Sequence, residues 1–167
     1  MPNLQTNGAA APATTSVLSA VRTAGEFAAQ VIVRADVSRK ASKVAVDKLS
    51  NADAKEFAGY ELLEAETVVS VLEQIGAVLP PMSAETKGAL DQIVNAPAGR
   101  AFDVAYMTAE YENHAFLRDL AEAYLANSDA TTRDPAEQEG RHLAQVAFFA
   151  FTEHTSICRR ILKSVSV

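Results

Sequence analysis

Apolar residues recur along this chain at steps of three and four, and no strand-like alternation of polar and apolar positions persists. That period gathers them on one face of a helix. Val17, Val21, Ala24, Ala28, Val31, Ala35, Ser42 and Leu49 form the first such stripe and predict a helix from about Ser16 to Leu49. "SNAD" (Ser50 to Asp53) interrupts the pattern and supplies a cap for the next helix. That second helix is expected from about Ala52 to Ala77, with Phe57, Val68, Val71 and Ile75 as its seam, and Leu79-Pro80-Pro81 as its stop. A short helix over Ala84 to Asn95 follows Ser83 as its cap. The third long helix is expected from Arg100 to Asn127, with Phe102, Tyr106, Ala109, Phe116, Leu120 and Tyr124 on one face. Asp134-Pro135 opens the fourth in cap-then-proline order, and it runs to about Ser164 with Leu143, Val146, Ala147, Ala150, Ile157, Cys158 and Ile161 inward.

Four long amphipathic helices predict an all-α four-helix bundle, with a short extra helix between the second and third. Residues 1–15 are small and polar, with Gly and Pro, and read as a disordered arm ahead of a single domain over 16–167. The link from the second long helix to the third has two possible courses. If it crosses the bundle, the two helices run parallel and Glu61 and Glu110 meet at one level. If it closes a hairpin, they lie roughly 15 Å or more apart at 1.5 Å per residue.

Bulk composition narrows the partners. The net charge is −6, from 15 basic and 21 acidic side chains, which argues against nucleic acid because phosphate binding needs a concentrated basic face. Arg34, Arg39, Lys40, Lys43 and Lys48 are interspersed with Glu26, Asp36 and Asp47, the pattern of a solvated mixed face. No apolar run reaches the ~20 residues of a membrane span. The first residues lack the regions of a signal peptide, so the expected compartment is the cytoplasm, or the periplasm if a signal has been removed. Cys158 is the lone cysteine and reads as a buried core residue. The chain has no nucleophile elbow, phosphate-cradling glycine loop or nucleotide fingerprint, so no reaction is assigned. Phe148 and Phe149 flank the buried arc of the fourth helix and are expected to cover the core; the alternative is contact with a protein partner or a second copy.

The polar residues on apolar faces carry the candidate chemistry. Glu61 and Glu64 extend the second helix's seam backward by steps of four and three, which turns both carboxylates inward. His154 lies on the apolar arc of the fourth helix, between Ala150 and Ile157. Glu110 sits at the inner margin of the third, with His114 one turn on and slightly beyond it, and Asp36 sits at the margin of the first. Carboxylate oxygens offset a cation's charge and neutral imidazole adds directional nitrogen ligands, so Asp36, Glu61, Glu64, Glu110, His114 and His154 form a candidate set for iron, manganese or zinc. The Glu-x-x-His repeat of di-iron carboxylate bundles is absent. On spacing alone the simpler reading is an internal polar network without metal, with Arg39 neutralising Glu61 or Glu64. His142 falls on the outer flank of its helix and is expected at the surface.

"LPPMSAETKGALDQIVNAPAGRAFDVAYMTAEYENH" carries a further signal. Leu79-Pro80, Gly99, Phe102-Asp103, Tyr106 and His114, eight residues after that Tyr, make the stretch resemble a bacterial family of ferritin-like helical domains of unknown function, often labelled outer-membrane or periplasmic proteins. The resemblance reaches weakly to His154 and to Phe57-Ala58. It implies a ferritin-like bundle and a stress- or envelope-related role, with no established reaction. Where that family has a Glu in its first helix this chain has Asp36, and where it has Asp-His in its second this chain has Glu64-Ala65, leaving Glu61 and Glu64 as substitute oxygen ligands. The resulting expectation is a ferritin-like bundle binding a metal between helices. Its alternative is a non-catalytic interaction or self-association module with a metal-free polar core.

Overall fold

The computed structural model describes residues 11–166, and among these the chain is helical with no strand. Six helices follow in order: α1 (Ala11–Ala20), α2 (Ala24–Lys48), α3 (Ala52–Gln74), α4 (Ala84–Val94), α5 (Arg100–Asn127) and α6 (Pro135–Val165). Of the predicted arm, residues 1–10 lie outside the described residues, and Ala11 to Thr15 belong to α1.

The expected first helix is two helices. Thr23 takes an extended conformation, its side chain accepts from the Glu26 N–H, and the Glu26 carboxylate accepts from the Thr23 N–H. This reciprocal capping box starts α2 afresh. Arg22 closes α1 by donating from Nη1 to the Ser19 and Ala20 carbonyls at 3.0 and 2.8 Å. The second prediction erred at its far end. α3 stops at Gly76, whose φ of 96° lets the Gly76 and Ala77 N–H groups fold back on the Glu73 and Leu72 carbonyls. This glycine cap acts before the prolines are reached.

Helix directions follow from contacts at the two ends. Asp103, in the first turn of α5, accepts from Ser50 N at 2.9 Å, Ser50 Oγ at 2.5 Å and Asn51 N at 3.0 Å, which pins α5 to the turn between α2 and α3. At the opposite end Glu137, in the first turn of α6, accepts from Ala24 N at 3.0 Å and from the Tyr124 hydroxyl at 3.1 Å. Arg100 then ties the start of α5 to the end of α6 by donating to the Val165 carbonyl at 3.0 Å. So α2 and α6 run one way, and α3 and α5 the other. The segment carrying α4 returns the chain along the length of α3, roughly 35 Å at 1.5 Å per residue, with Leu90 buried and Lys48 Nζ donating to the Val94 carbonyl at 2.7 Å.

The buried faces follow small residues more than the large aliphatic ones. α3 buries Ala54, Phe57, Ala58, Glu61, Ala65 and Val69, while the expected seam residues Val71 and Ile75 are 42% and 61% exposed. Its neighbour α2 presents Ala35, Ala41 and Ala45, and small side chains on both sides let the axes approach. α6 likewise buries Gly140, Ala144, Phe151, Thr155, Cys158, Ile161 and Val165, leaving Leu143 and Val146 exposed. Phe148 packs on the core, but Phe149, 100° further round the helix, is 71% exposed. His142 is at the surface and Cys158 is buried, as expected.

Two large apolar clusters, with a smaller one of Ile32, Ala35 and Val69, fill the interior. One, around Ala45, Leu49, Phe57, Phe102, Tyr106 and Ile161, lies toward the turn between α2 and α3. The other, around Phe27, Val31, Leu120, Tyr124, Ala144 and Phe151, lies toward the opposite end. A buried polar layer of Ser38, Glu61, Glu110 and His114 sits at mid-length.

Candidate metal centre

Each wall of the polar layer comes from a different helix: Ser38 from α2, Glu61 and Glu64 from α3, Glu110 and His114 from α5, His154 from α6. Parallel α3 and α5 bring Glu61 and Glu110 to one level, where both reach Ser38. Its Oγ lies 2.7 Å from Glu61 Oε1 and 3.0 and 2.9 Å from the two oxygens of Glu110. Ser38 has one proton to give, so two ionised carboxylates cannot both be satisfied there. Glu110 resolves this by keeping its own proton. Burial, reinforced by the charge of Glu61, pushes its pKa up to about 8. With Glu110 protonated, the Ser38 hydroxyl proton is free to go to Glu61 Oε1 at 2.7 Å. Burial also pushes Glu61 upward, but the adjacent His114 imidazole and its charge, with the Ser38 hydroxyl, outweigh it and hold Glu61 below the ordinary carboxylate range.

The other Glu61 oxygen, Oε2, is buried and accepts no well-formed hydrogen bond. It faces His114 Nε2 at 3.2 Å and His154 Nδ1 at 3.8 Å, and these two nitrogens are themselves 3.2 Å apart. The His114 tautomer follows from what the ring touches on its far side. His114 Nδ1 lies 2.8 Å from the Glu110 backbone carbonyl, which can only accept, so Nδ1 carries a proton. His154 Nε2 faces Glu64 Oε2 at 3.5 Å, too long to set its tautomer. In its neutral form His114 therefore aims the Nε2 lone pair toward Glu61 Oε2 and His154 Nδ1. An oriented imidazole whose second nitrogen is held by a carbonyl or carboxylate is the arrangement that metal-ligating histidines use. The Phe57 ring meets both imidazoles edge-on, at centroid distances of 6.0 and 5.9 Å, and closes the apolar side.

The spacing suits an ion. Ligand atoms 2.0–2.2 Å from a tetrahedral zinc lie about 3.3 to 3.6 Å from one another, and the observed edges are 3.2, 3.2 and 3.8 Å. Glu61, His114 and His154 are also the group among the described residues whose ligand atoms come close enough to share one. Without a cation the same space holds a proton. Burial pulls the His114 pKa down, but Cys158, Glu61 and Glu110 together overcome it and hold the imidazole well above its ordinary value. Glu64 is half-buried, and burial moves its pKa upward.

Of the six residues singled out in the sequence, five gather here. Asp36 does not: it is buried, but it pairs with Arg39 at 2.6 Å and with Lys40 on its own helix, and it faces the segment around Leu79 and Pro80. Arg39 thus neutralises Asp36 instead of the glutamates, and His114 is 2% exposed. His154 lies at the edge of the buried arc, its side chain 20% exposed. Ser38 was missed, although its place between Ala35 and Ser42 on the α2 stripe marks it as inward-facing. The partnership of Cys158 with His114 had no signal in the sequence. No family model, curated protein or solved structure matches this chain.

Proposed function

We propose that the protein is a four-helix bundle of ferritin-like topology that holds one divalent metal ion at Glu61, His114 and His154, in the stress- or envelope-related role that the resemblance suggests. The topology is supported by the two antiparallel pairs, α2 with α3 and α5 with α6, joined by a crossover that leaves α3 and α5 parallel. The metal rests on one observation above the others: Glu61 Oε2, His114 Nε2 and His154 Nδ1 converge, with His114 Nδ1 held by the Glu110 carbonyl so that Nε2 is the nitrogen free to ligate. Glu110 and Ser38 orient the glutamate, and Glu64 orients His154.

Two imidazoles and one carboxylate suit zinc or iron(II) better than manganese, which prefers oxygen donors. Three protein ligands leave positions for water or substrate, where a bound ion acts as a Lewis acid or redox centre. Because ligation needs neutral imidazole, uptake displaces the proton that His114 otherwise holds.

Metal content tests this. Protein purified without chelator and then exposed to iron(II), manganese(II) or zinc(II) should retain close to one ion per chain by elemental analysis, and His154→Ala should lose most of it. Wild-type protein that retains no ion after such loading would refute the reading.

A further inference from the structure

A separate cleft of about 680 Å3 lies between α2, α4 and α5, a volume in the range of small-molecule sites. Its lining mixes polar residues with an apolar strip of Val33, Val37 and Ala41 from α2, Leu90 and Ile93 from α4, and Ala105 from α5. Arg34 lines it as well, half-buried, with its guanidinium carbon 4.1 Å from the centroid of the Phe116 ring. Stacking on a ring face leaves the in-plane N–H edge free.

That edge has no hydrogen-bond or ion-pair partner among the described residues. Among the described residues the other half-buried arginines are all engaged: Arg39 with Asp36, Arg118 with Asp119, and Arg141 with the Leu125 carbonyl and Ser128. Among the described residues Arg34 makes no ion pair or hydrogen bond, and burial lowers its pKa. A half-buried guanidinium stacked on a ring and open along one edge offers its remaining donors to an acceptor group in the cleft. The planar group that matches its two parallel N–H bonds is a carboxylate.

We propose that this cleft binds a small amphipathic carboxylate, its head on the free edge of Arg34 and its apolar body along Val37, Ala41 and Leu90. Arg34 and Ala41 are seven residues apart on α2, a run of about 10 Å, which a medium-chain acid spans. One cation, with exposed Glu85 and Glu112 also lining the cleft, suits a singly charged head and not a phosphate dianion. The site does not depend on the metal. Its wall does include Ser38 and Glu110, so an occupant would lie against the pair that orients Glu61.

Isothermal titration of the full, metal-free chain with octanoate, octanol and octyl phosphate tests the site. Octanoate should bind saturably at one equivalent. Arg34→Met should weaken it roughly tenfold or more, the loss expected for a charge-assisted pair, Arg34→Lys should fall between, and octanol should be indifferent to both. Ala105→Leu, which narrows the cleft and leaves Arg34 in place, should also weaken octanoate, with circular dichroism checking that each variant is folded. No octanoate binding by wild type, equal binding by folded Arg34→Met, or tighter binding of octyl phosphate would each overturn the assignment.

Discussion

Ser38 meets three carboxylate oxygens with a single proton, and burial, reinforced by the charge of Glu61, keeps a further proton on Glu110. In the metal-free protein its consequence is a measurable pH dependence. Glu110 titrates near the ordinary carboxylate value of 4.5 when unfolded and at about 8 when folded. Below the lower value both states hold the proton. Between the two the unfolded chain releases a proton that the folded chain keeps, so this contribution to stability declines as pH rises and is lost by about pH 8. Glutamine resembles the protonated acid and has no proton to lose. Metal-free Glu110→Gln should therefore gain on wild type as pH rises from 5 to 8, as read by urea denaturation. A stability difference that stays constant over that range would mean Glu110 is ionised throughout. At this scale the sequence was partly legible. Glu61 sits on a helical step from Phe57 and could be placed inward, whereas the pairing of Arg39 with Asp36 depends on rotamers that spacing does not specify.

Each element's ends were written locally, in signals of unequal visibility. Ser83, Asp134 and Pro135 announce their helices by type and position, and the predicted starts of α4 and α6 agree with the observed ones. The Thr23–Glu26 box lies inside a continuous apolar stripe, so periodicity hides the break that it makes. Seams were harder to read because alanine and glycine look neutral in sequence and yet decide how closely helices pack. Gly140 is the sharpest case: a Cβ there would fall 2.3 Å from the Ala24 Cβ. Gly140→Ala should destabilise the fold by about 1–2 kcal/mol, an overpacking cost that exceeds the gain in helix propensity. Gly59→Ala in α3 meets nothing within 4 Å and should instead stabilise by about 0.5–1 kcal/mol. Thermal or urea unfolding of the two variants checks the signs, and equal effects would mean that the approach of α6 to α2 is not tight.

For the whole molecule, the sequence left open whether α3 and α5 run parallel, because a link of this length allows either course. The choice is made by contacts remote in sequence, chiefly Asp103 on the turn at Ser50 and Asn51. No local pattern encodes such pairing. Once the crossover is made, residues about nine into α3 and ten into α5 come level, and the two apolar clusters close above and below a polar layer that neither could bury alone. The central claim is that this layer is a ligand set for metal. X-ray absorption at the metal edge of zinc- or iron-loaded protein tests it most directly, because it reports the ligand atoms themselves. Two imidazoles and one carboxylate oxygen at about 2.0–2.2 Å are expected, with one imidazole lost in His154→Ala. An ion surrounded only by oxygen, unchanged by that substitution, would place the metal elsewhere and leave Glu61, His114 and His154 as a proton-filled network.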